Sequence, residues 1–327
     1  MARALITGVT GQDGVYLAEL LLARGDTVVG TTRGDPLAAH SRLSAAASRV
    51  HLRKLDLRDA RAIDALVAEV MPDQVYHLAA PAVPGLAWTA PADATDALCT
   101  VPARILEAVS RHLPSGRFVL AGSCQVFGPD SVAPQHELTP FTALTPYGAG
   151  KAYAAMLVAA FRDGRGMHAS TAILFNHESA RRGVEYVTTK ICRAAVRIAA
   201  GDQTASPLSL GALQVVRDWG HAQDHMRALV LMADADVPGD YVIGTGVGRT
   251  VADFCAAAFA RVGLDWTAHV IVDGGLARTG DVRALIADAH RARERLGWAP
   301  TISFEALLDE MLDAARRVLD TATRDHH

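Results

Sequence analysis

The sequence is poor in the features that mark several classes of protein. Its four cysteines, scattered along 327 residues, show no C-x-x-C spacing, which argues against a disulfide framework and a metal site. No apolar run reaches the roughly eighteen residues that a membrane span requires. The formal net charge is only −3, so nothing indicates a nucleic-acid partner. We therefore expect no metal, no membrane and no nucleic acid among its partners.

The composition is that of a soluble enzyme. Hydrophobic residues make up 50% of the chain and charged residues 20%, values that are ordinary for a globular protein. The opening "MARALITG" leads directly into an apolar strand pattern, with no signal peptide before it. We therefore expect a cytoplasmic protein.

Strand and helix patterns alternate through the first half of the chain. Short apolar runs such as "RALITG", "TVVGTT", "QVYHLAA" and "RFVLAGS" predict strands, and "GVYLAELLLARG" has the spacing of a helix. Long helices are predicted from Ala92 to Leu113 and from Pro146 to Arg162. This alternation predicts an α/β fold with a Rossmann-like, doubly wound parallel sheet.

The alternation breaks after Asn176, which predicts a second domain. Residues 1–175, with a return segment at about 215–244, are expected to form the nucleotide-binding domain. Residues 176–214 and 245–327 are expected to form a smaller mixed α/β domain that binds the substrate. It should cover the carboxyl ends of the strands, where such sheets bind their ligands.

The segment "LITGVTGQDG" follows the first strand and opens the first helix. Gly8, Gly11 and Gly14 lie three residues apart, and glycine lets backbone N–H groups approach a pyrophosphate at the helix N-terminus. This context, with a strand before and a helix after, is what a dinucleotide site requires. Asp56 and Leu57, at the end of the third strand, should flank the adenine.

Arg33 follows the second strand, where an NAD site usually carries an acid. A guanidinium suits the 2′-phosphate of NADP, so NADP is the expected cofactor. Asp35 lies close enough to Arg33 in the sequence that NAD remains an alternative cofactor.

Tyr147 and Lys151 are four residues apart and therefore share one face of a helix. A nearby ammonium stabilises a phenolate, so the tyrosine can exchange a proton with an alcohol or ketone while a hydride moves. Ser123 ends the preceding strand. Gly148 and Gly150, inside the helix, suggest that something approaches the backbone closely.

With these motifs the chain resembles the extended short-chain dehydrogenases/reductases, in the NAD-dependent epimerase/dehydratase group. Within them it most resembles the GDP-mannose 4,6-dehydratase family. The resemblance extends nearly from end to end, and the segments "FNHESARRG" and "RDWGHAQD" are its most specific parts.

The resemblance implies site residues. Ser123, Tyr147 and Lys151 would form the oxidoreductive set, with Ser123 at the sugar oxygen on C4. The implied cofactor residues are Gly8, Thr10, Gly11, Gln12, Asp13, Gly14, Arg33, Asp56, Leu57, Leu78, Ala79, Ala80, Tyr147, Lys151, Asn176 and His177. The implied substrate residues are Ser123, Asn176, Arg182, Val187, Lys190, Arg217 and Arg278. A strand-end ion pair with Asp218 is the alternative for Arg217, and a solvated loop is the favoured interpretation of Arg181 and Arg182.

Three positions depart from the family pattern. The family's catalytic glutamate, which removes the C5 proton, is Gln125 here, and an amide cannot act as a base near neutral pH. A sugar-facing glutamate is replaced by Val184. The paired-arginine loop after the second strand is reduced, which puts a tetramer contact in doubt. Cys124 is either a replacement base or a small packed residue.

The sequence therefore favours an NADP-dependent enzyme that acts on a nucleoside-diphosphate sugar, with GDP as the expected nucleotide. The net reaction would be oxidoreduction or epimerisation at C4. Alternatives are a true 4,6-dehydratase with Cys124 as base, an engineered Glu-to-Gln variant, and a non-catalytic binder of sugar nucleotides. Apolar stripes such as "YAAMLVAAF" predict a homodimer through a four-helix bundle and leave a tetramer open.

Overall fold

A computed structural model of the chain describes residues 1–80, 85–276, 280 and 282–324. The described strands are β1 (Arg3–Thr7), β2 (Thr27–Thr32), β3 (His51–Lys54), β4 (Gln74–His77), β5 (Arg117–Ala121), β6 (His168–Leu174), β7 (Asn176–Glu178), β8 (Leu208–Leu210), β9 (Val216–His221), β10 (Asp240–Ile243), β11 (Gly248–Thr250), β12 (Val270–Val272) and β13 (Ala284–Leu285). Seven of them form a parallel sheet in the order β10-β6-β5-β4-β1-β2-β3. The doubly wound parallel sheet predicted from the sequence is confirmed.

The described helices flank and connect these strands. They are α1 (Gln12–Ala23), α2 (Pro36–His40), α3 (Ala60–Val70), α4 (Leu86–Thr89), α5 (Pro91–Thr95), α6 (Val101–His112), α7 (Pro146–Arg165), α8 (Val187–Ala199), α9 (Ala222–Asp234), α10 (Val251–Ala260), α11 (His290–Leu296) and α12 (Phe304–Arg324). None of the helices in the described part of the chain is both long and apolar enough to cross a membrane.

The long helix predicted from Ala92 to Leu113 is not a continuous α-helix. A five-residue stretch of π-helix, Asp96–Thr100, separates α5 from α6. Pro102 lies in the first turn of α6. Because proline has no N–H, it cannot make the bond to the carbonyl four residues earlier, and the hydrogen-bond ladder must rearrange there.

Both faces of the large sheet are covered by apolar helix faces. On one face, Leu17 and Leu21 of α1 and Leu229 of α9 pack in one buried cluster with the sheet. On the other face, helices α3, α6 and α7 contribute to a second cluster, which includes Ile63 and Val158. Burial on both faces explains why the strands read as continuous apolar runs.

The remaining strands form smaller sheets after β6. Strand β9 pairs with β7, β11 and β13, and β8 pairs with β12. A third apolar cluster joins α8, α10 and α12 over these strands and includes Ile191, Phe254 and Leu308. Helix α9 and strand β10 return to the large sheet, whereas β9 does not belong to it. We propose that the chain has a nucleotide-binding domain and a smaller substrate domain divided along these lines.

Candidate active site

The glycine turn after β1 is shaped by contacts that exclude side chains. Gly8 has a φ of +75°, and a Cβ on it would lie 3.0 Å from the Cα of Ala79. A Cβ on Gly14 would lie 2.5 Å from the Gly8 carbonyl oxygen. Gly11 caps α1 without a side-chain hydrogen bond, so the first N–H groups of the helix are not satisfied by a cap. This turn fits a diphosphate, because unpaired N–H groups at a helix N-terminus bind anions.

The end of the cleft at β2 and β3 carries exposed charges. Arg33 is exposed, and its charge helps to lower the pKa of Asp56. Hydrogen bonds from Arg58 are the larger cause, and together these groups lower the pKa of Asp56 to about 2. Asp35 accepts a hydrogen bond of 3.2 Å from the Leu37 N–H and thereby caps α2. Arg33 and Asp35 are thus both exposed, and of the two only the Asp35 carboxylate caps a helix.

A cavity of about 430 Å³ opens at the carboxyl ends of β4, β5 and β6. Of the site residues predicted from sequence, those that line it are Asp13, Leu78, Ala80, Ser123, Cys124, Gln125, Tyr147, Lys151, Asn176, His177, Arg182, Val187, Lys190 and Arg217. The other described ones lie outside its lining: Gln12 and Gly14 in the first turn of α1, and Gly8, Thr10, Gly11, Arg33, Asp56, Leu57 and Ala79 on the loops after β1, β2, β3 and β4. Arg278 falls outside the described residues.

Lys151 is buried and anchored to the end of β5. Its Nζ donates a hydrogen bond of 2.7 Å to the carbonyl oxygen of Ala121, and it lies 5.9 Å from the centre of the Tyr147 ring. Burial lowers the pKa of Lys151 to about 8, although the Asp13 carboxylate partly offsets that effect. The ammonium is therefore the main form at neutral pH.

Tyr147 belongs to α7 and lines the cavity. Burial raises the pKa of its phenol above the usual value, and the nearby Tyr186 phenol adds to the effect. A hydrogen bond with the Ser123 side chain opposes it. The phenol is therefore protonated at neutral pH in this environment, which suits the donation of a proton to an oxygen that gains negative charge.

The segment after β5 turns sharply into a short 3₁₀-helix, Cys124–Val126. The Ser123 hydroxyl accepts a hydrogen bond of 3.2 Å from the Gln125 N–H and holds this turn. Gln125 is half-buried, and Cys124 is buried, and both line the cavity. The turn thus presents the amide of Gln125 at the cavity wall.

Close packing within the protein explains Gly148 and Gly150 of α7. A Cβ on Gly148 would lie 2.2 Å from the Gln125 carbonyl oxygen, and one on Gly150 would lie 2.7 Å from the Cβ of Leu98. The close approach suggested by the sequence is thus made by the neighbouring turn and by the π-helical stretch. These contacts bring α7 against the turn that carries Gln125.

A polar bridge connects the glycine turn to β7. His177 Nε2 lies 3.1 Å from an Asp13 carboxylate oxygen, and His177 Nδ1 donates to the Phe175 carbonyl at 2.7 Å. The Gln12 amide donates to Asp13 at 3.0 Å and accepts from the Ser179 hydroxyl at 2.8 Å. These groups join the cofactor turn to the segment that resembles the family's "FNHES" motif.

Asp13 and His177 each stabilise the charged form of the other. Burial works against the charged imidazole, but the Asp13 carboxylate outweighs it and raises the pKa of His177. Burial also opposes the charged Asp13, yet the His177 charge and hydrogen bonds lower the pKa of that carboxyl. His177 stacks on the buried His225 with ring centres 4.7 Å apart.

Two cationic side chains, Lys190 of α8 and Arg217 of β9, line the cavity. Arg217 of β9 is buried, and its Nη1 donates to the carbonyls of Val216 and Val282 at 2.7 and 2.8 Å. Its neighbour Asp218 instead accepts hydrogen bonds from Thr245, which include one of 2.6 Å from the hydroxyl. The Arg217 side chain therefore faces the cavity together with Lys190, rather than forming a strand-end pair with Asp218.

Two expectations about the loop after β7 are wrong. Arg182 is not solvated: its side chain is only 16% exposed and pairs with Glu178 at 2.9 Å. Arg181, by contrast, is exposed and pairs with Glu19 at 2.7 Å. Val184 is 53% exposed and is not among the described residues that line the cavity, so it does not form an apolar wall against a substrate.

The sequence reasoning missed several side chains that line the cavity, among them Glu178, Glu185, Tyr186 and Thr188. Glu178 is buried and accepts a hydrogen bond of 2.9 Å from the Thr188 hydroxyl. The guanidinium carbon of Arg182 lies 3.5 Å from the centre of the Tyr186 ring. An acid within "FNHES" was the available signal for Glu178, because a charged residue inside a strand pattern is rarely buried without a partner.

Comparisons with known proteins agree with this architecture. The family model described as GDP-mannose 4,6 dehydratase matches residues 5–311. GDP-mannose 4,6 dehydratase 2 of Arabidopsis thaliana is 41% identical over 322 residues, which cover 95% of this chain and 86% of that protein.

Two solved structures share the fold. The RMD protein of Pseudomonas aeruginosa, complexed with NADPH, has a TM-score of 0.80 at 22% identity, and the match covers 97% of this chain and 100% of that one. UDP-glucose 4-epimerase of Thermus thermophilus, complexed with NAD, has a TM-score of 0.82 at 22% identity, and the match covers 96% of this chain and 99% of that one. The solved structures show a shared fold, whereas the family model and the Arabidopsis relative identify the family. The chain belongs to the GDP-mannose 4,6-dehydratase family.

Proposed function

We propose that this protein is an NADP-dependent enzyme that changes a GDP-linked sugar by oxidation and reduction at C4, without a carboxylate base at position 125. The observation that carries the proposal is one cavity that is lined by Ser123, Tyr147 and Lys151 together with the amide of Gln125. The first three can exchange a proton with a sugar hydroxyl. The fourth cannot remove a proton from carbon near neutral pH.

Each residue of the set has a separate role. A bound nicotinamide would supply the hydride acceptor and donor, and the neighbours complexed with NADPH and with NAD support such a cofactor. Tyr147 holds the proton that passes to or from the C4 oxygen. Ser123, hydrogen-bonded to the phenol, orients that oxygen, and the Lys151 ammonium stabilises the phenolate while the proton is away.

Two cations of the cavity support a diphosphate substrate. Lys190 of α8 and Arg217 of β9 line the cavity, and charge-assisted hydrogen bonds from such groups are what phosphate oxygens require. The diphosphate would lie against them, which directs the sugar toward Tyr147.

The experiment is incubation of the protein with NADP and GDP-mannose, followed by mass spectrometry and NMR of the sugar. We expect a sugar of unchanged mass with altered configuration at C4, or a 4-keto sugar with stoichiometric NADPH. Tyr147→Phe should abolish either product. A product that has lost water in the wild-type protein would contradict the proposal.

The choice of NADP depends on Arg33. Its exposed guanidinium follows β2, and the neighbouring Asp35 is engaged in capping α2. Arg33→Ala should weaken NADP binding by about 1.5–3 kcal/mol, the value of a hydrogen bond to a charged group, and leave NAD nearly unaffected. Titration of intrinsic fluorescence with both cofactors measures the difference. Equal weakening of the two would show that Arg33 does not contact the 2′-phosphate.

A true 4,6-dehydratase with Cys124 as base is the second candidate, since Cys124 also lines the cavity. In that case Cys124→Ser should remove the dehydrated product while leaving cofactor reduction intact. A product unaffected by this substitution would exclude the thiol as the base.

A further inference from the structure

The loop between β7 and α8 carries a carboxylate at the rim of the cavity. Val184 and Glu185 are both exposed, and of the two Glu185 lines the cavity. The Glu185 side chain folds back over the preceding glycine: a Cβ on Gly183 would lie 2.4 Å from either carboxylate oxygen. A carboxylate therefore occupies the cavity rim one position after the valine.

The other carboxylates among the described lining residues have partners. Asp13 is paired with His177 at 3.1 Å, and Glu178 is paired with Arg182 at 2.9 Å. Within the described ranges, no cationic side chain forms an ion pair with Glu185. Glu185 therefore keeps its capacity to accept hydrogen bonds from a ligand.

Glu185 and the residue after it line the same cavity as the reacting groups. Tyr186 lines it together with Tyr147, and the Arg182 guanidinium lies on the face of the Tyr186 ring. The loop between β7 and α8 thus contributes a carboxylate and a phenol to the cavity that holds the oxidoreductive set.

The chemistry of a carboxylate excludes the diphosphate as the part of a nucleotide sugar that it contacts. An ionised carboxylate only accepts hydrogen bonds, and it repels phosphate oxygens. Sugar hydroxyls donate hydrogen bonds, and the cations that suit a diphosphate are Lys190 and Arg217. We propose that Glu185 is a specificity residue that binds hydroxyl groups of the sugar. This inference rests on the proposed function, because it assumes a nucleotide-sugar substrate.

The test compares binding of GDP-mannose and of GDP by calorimetry, with NADP present. Glu185→Gln keeps the shape of the side chain and removes its charge. The matched control is Val184→Thr, at the neighbouring exposed residue, which does not line the cavity. We expect Glu185→Gln to weaken GDP-mannose about tenfold, as loss of a charged hydrogen-bond acceptor does, and to leave GDP within about twofold. The control should bind both ligands as the wild type does.

The outcomes separate the two proposals. If the wild type binds GDP-mannose more tightly than GDP but Glu185→Gln changes neither, or weakens both equally, the role of Glu185 is wrong while the proposed function stands. A lower melting temperature with unchanged selectivity would also overturn it, because Glu185 would then only stabilise the N-terminus of α8. A wild-type protein that binds GDP but not GDP-mannose would contradict the proposed function, and the role of Glu185 with it.

Discussion

At the scale of single residues, Gln125 presents an amide at the cavity wall, where the resemblance implies a glutamate. Its backbone is fixed by Ser123 and by the close contact with Gly148, so a glutamate at this position would meet the same cavity wall. The side chain is half-buried, and the change from amide to carboxylate adds no volume. The local structure therefore accepts a glutamate at position 125.

We predict that Gln125→Glu creates dehydratase activity. Ser123, Tyr147 and Lys151 already line the site, and a general base contributes about 10²–10⁴-fold to such a step. The 4-keto-6-deoxy product from GDP-mannose and NADP is the readout, with Gln125→Ala as the control that lacks any base. Equal product from the wild type and Gln125→Glu would show that another group removes the proton.

A pH dependence is predicted from Lys151. Burial lowers the pKa of its ammonium to about 8, so the charge that stabilises the phenolate is present below that pH and lost above it. The turnover rate should therefore fall as pH rises through about 8. A pH–rate profile tests this, and Lys151→Met should show a low rate without that inflection. A rate that keeps rising to high pH would contradict the assignment.

At the scale of elements, the Asp13–His177 pair ties the start of α1 to β7. Loss of the carboxylate leaves the imidazole without its counter-charge and removes a hydrogen bond between these segments. The pair is partly accessible to solvent, which reduces its contribution relative to a fully buried one.

We predict that Asp13→Asn lowers the free energy of unfolding by about 1–2 kcal/mol near pH 5.5 and by less near pH 9. The pKa of His177 is raised in the folded protein, so the ion pair stabilises the fold fully below pH 6.5, the ordinary pKa of histidine. That stabilisation is lost as pH rises through the pKa of His177 in the folded protein. The lowered pKa of Asp13 keeps its own contribution present above 3.8.

Urea denaturation at both pH values measures the difference. Asp59→Asn is the control, because Asp59 caps α3 and asparagine caps about equally well. If Asp13→Asn costs as much at pH 9 as at pH 5.5, the effect does not come from the ion pair.

At the scale of the whole molecule, helix α7 leaves large apolar side chains exposed. Tyr153 is 45% and Met156 57% exposed, three residues apart on one face. We propose that this face pairs with a second copy of the chain to form a homodimer.

We predict that Tyr153→Asp with Met156→Asp gives a monomer, because two charges would be buried in an apolar interface. Light scattering at micromolar concentration checks the mass. Val318→Asp is the control, since Val318 is also exposed but lies on α12. A monomeric wild type would overturn the proposal.

The sequence alone determined the parallel sheet, because strands that are buried on both faces must be apolar throughout. It also determined the glycine turn and the spacing of Tyr147 and Lys151, because these are local features: a turn geometry and one helical period. The prediction of a single α-helix from Ala92 to Leu113 was wrong, because Pro102 lacks an N–H and the hydrogen-bond ladder changes before it.

Only the tertiary structure decided which side chains of the loop after β7 reach the cavity. Arg182 pairs with a buried Glu178, and Glu185 lines the cavity while its neighbour Val184 does not. The sequence suggested a solvated arginine and a valine in the sugar pocket. An irregular loop has no fixed period that would assign its residues to a face. Their directions follow from the packing of β7 and α8 against distant elements, which neighbouring residues in the sequence do not encode.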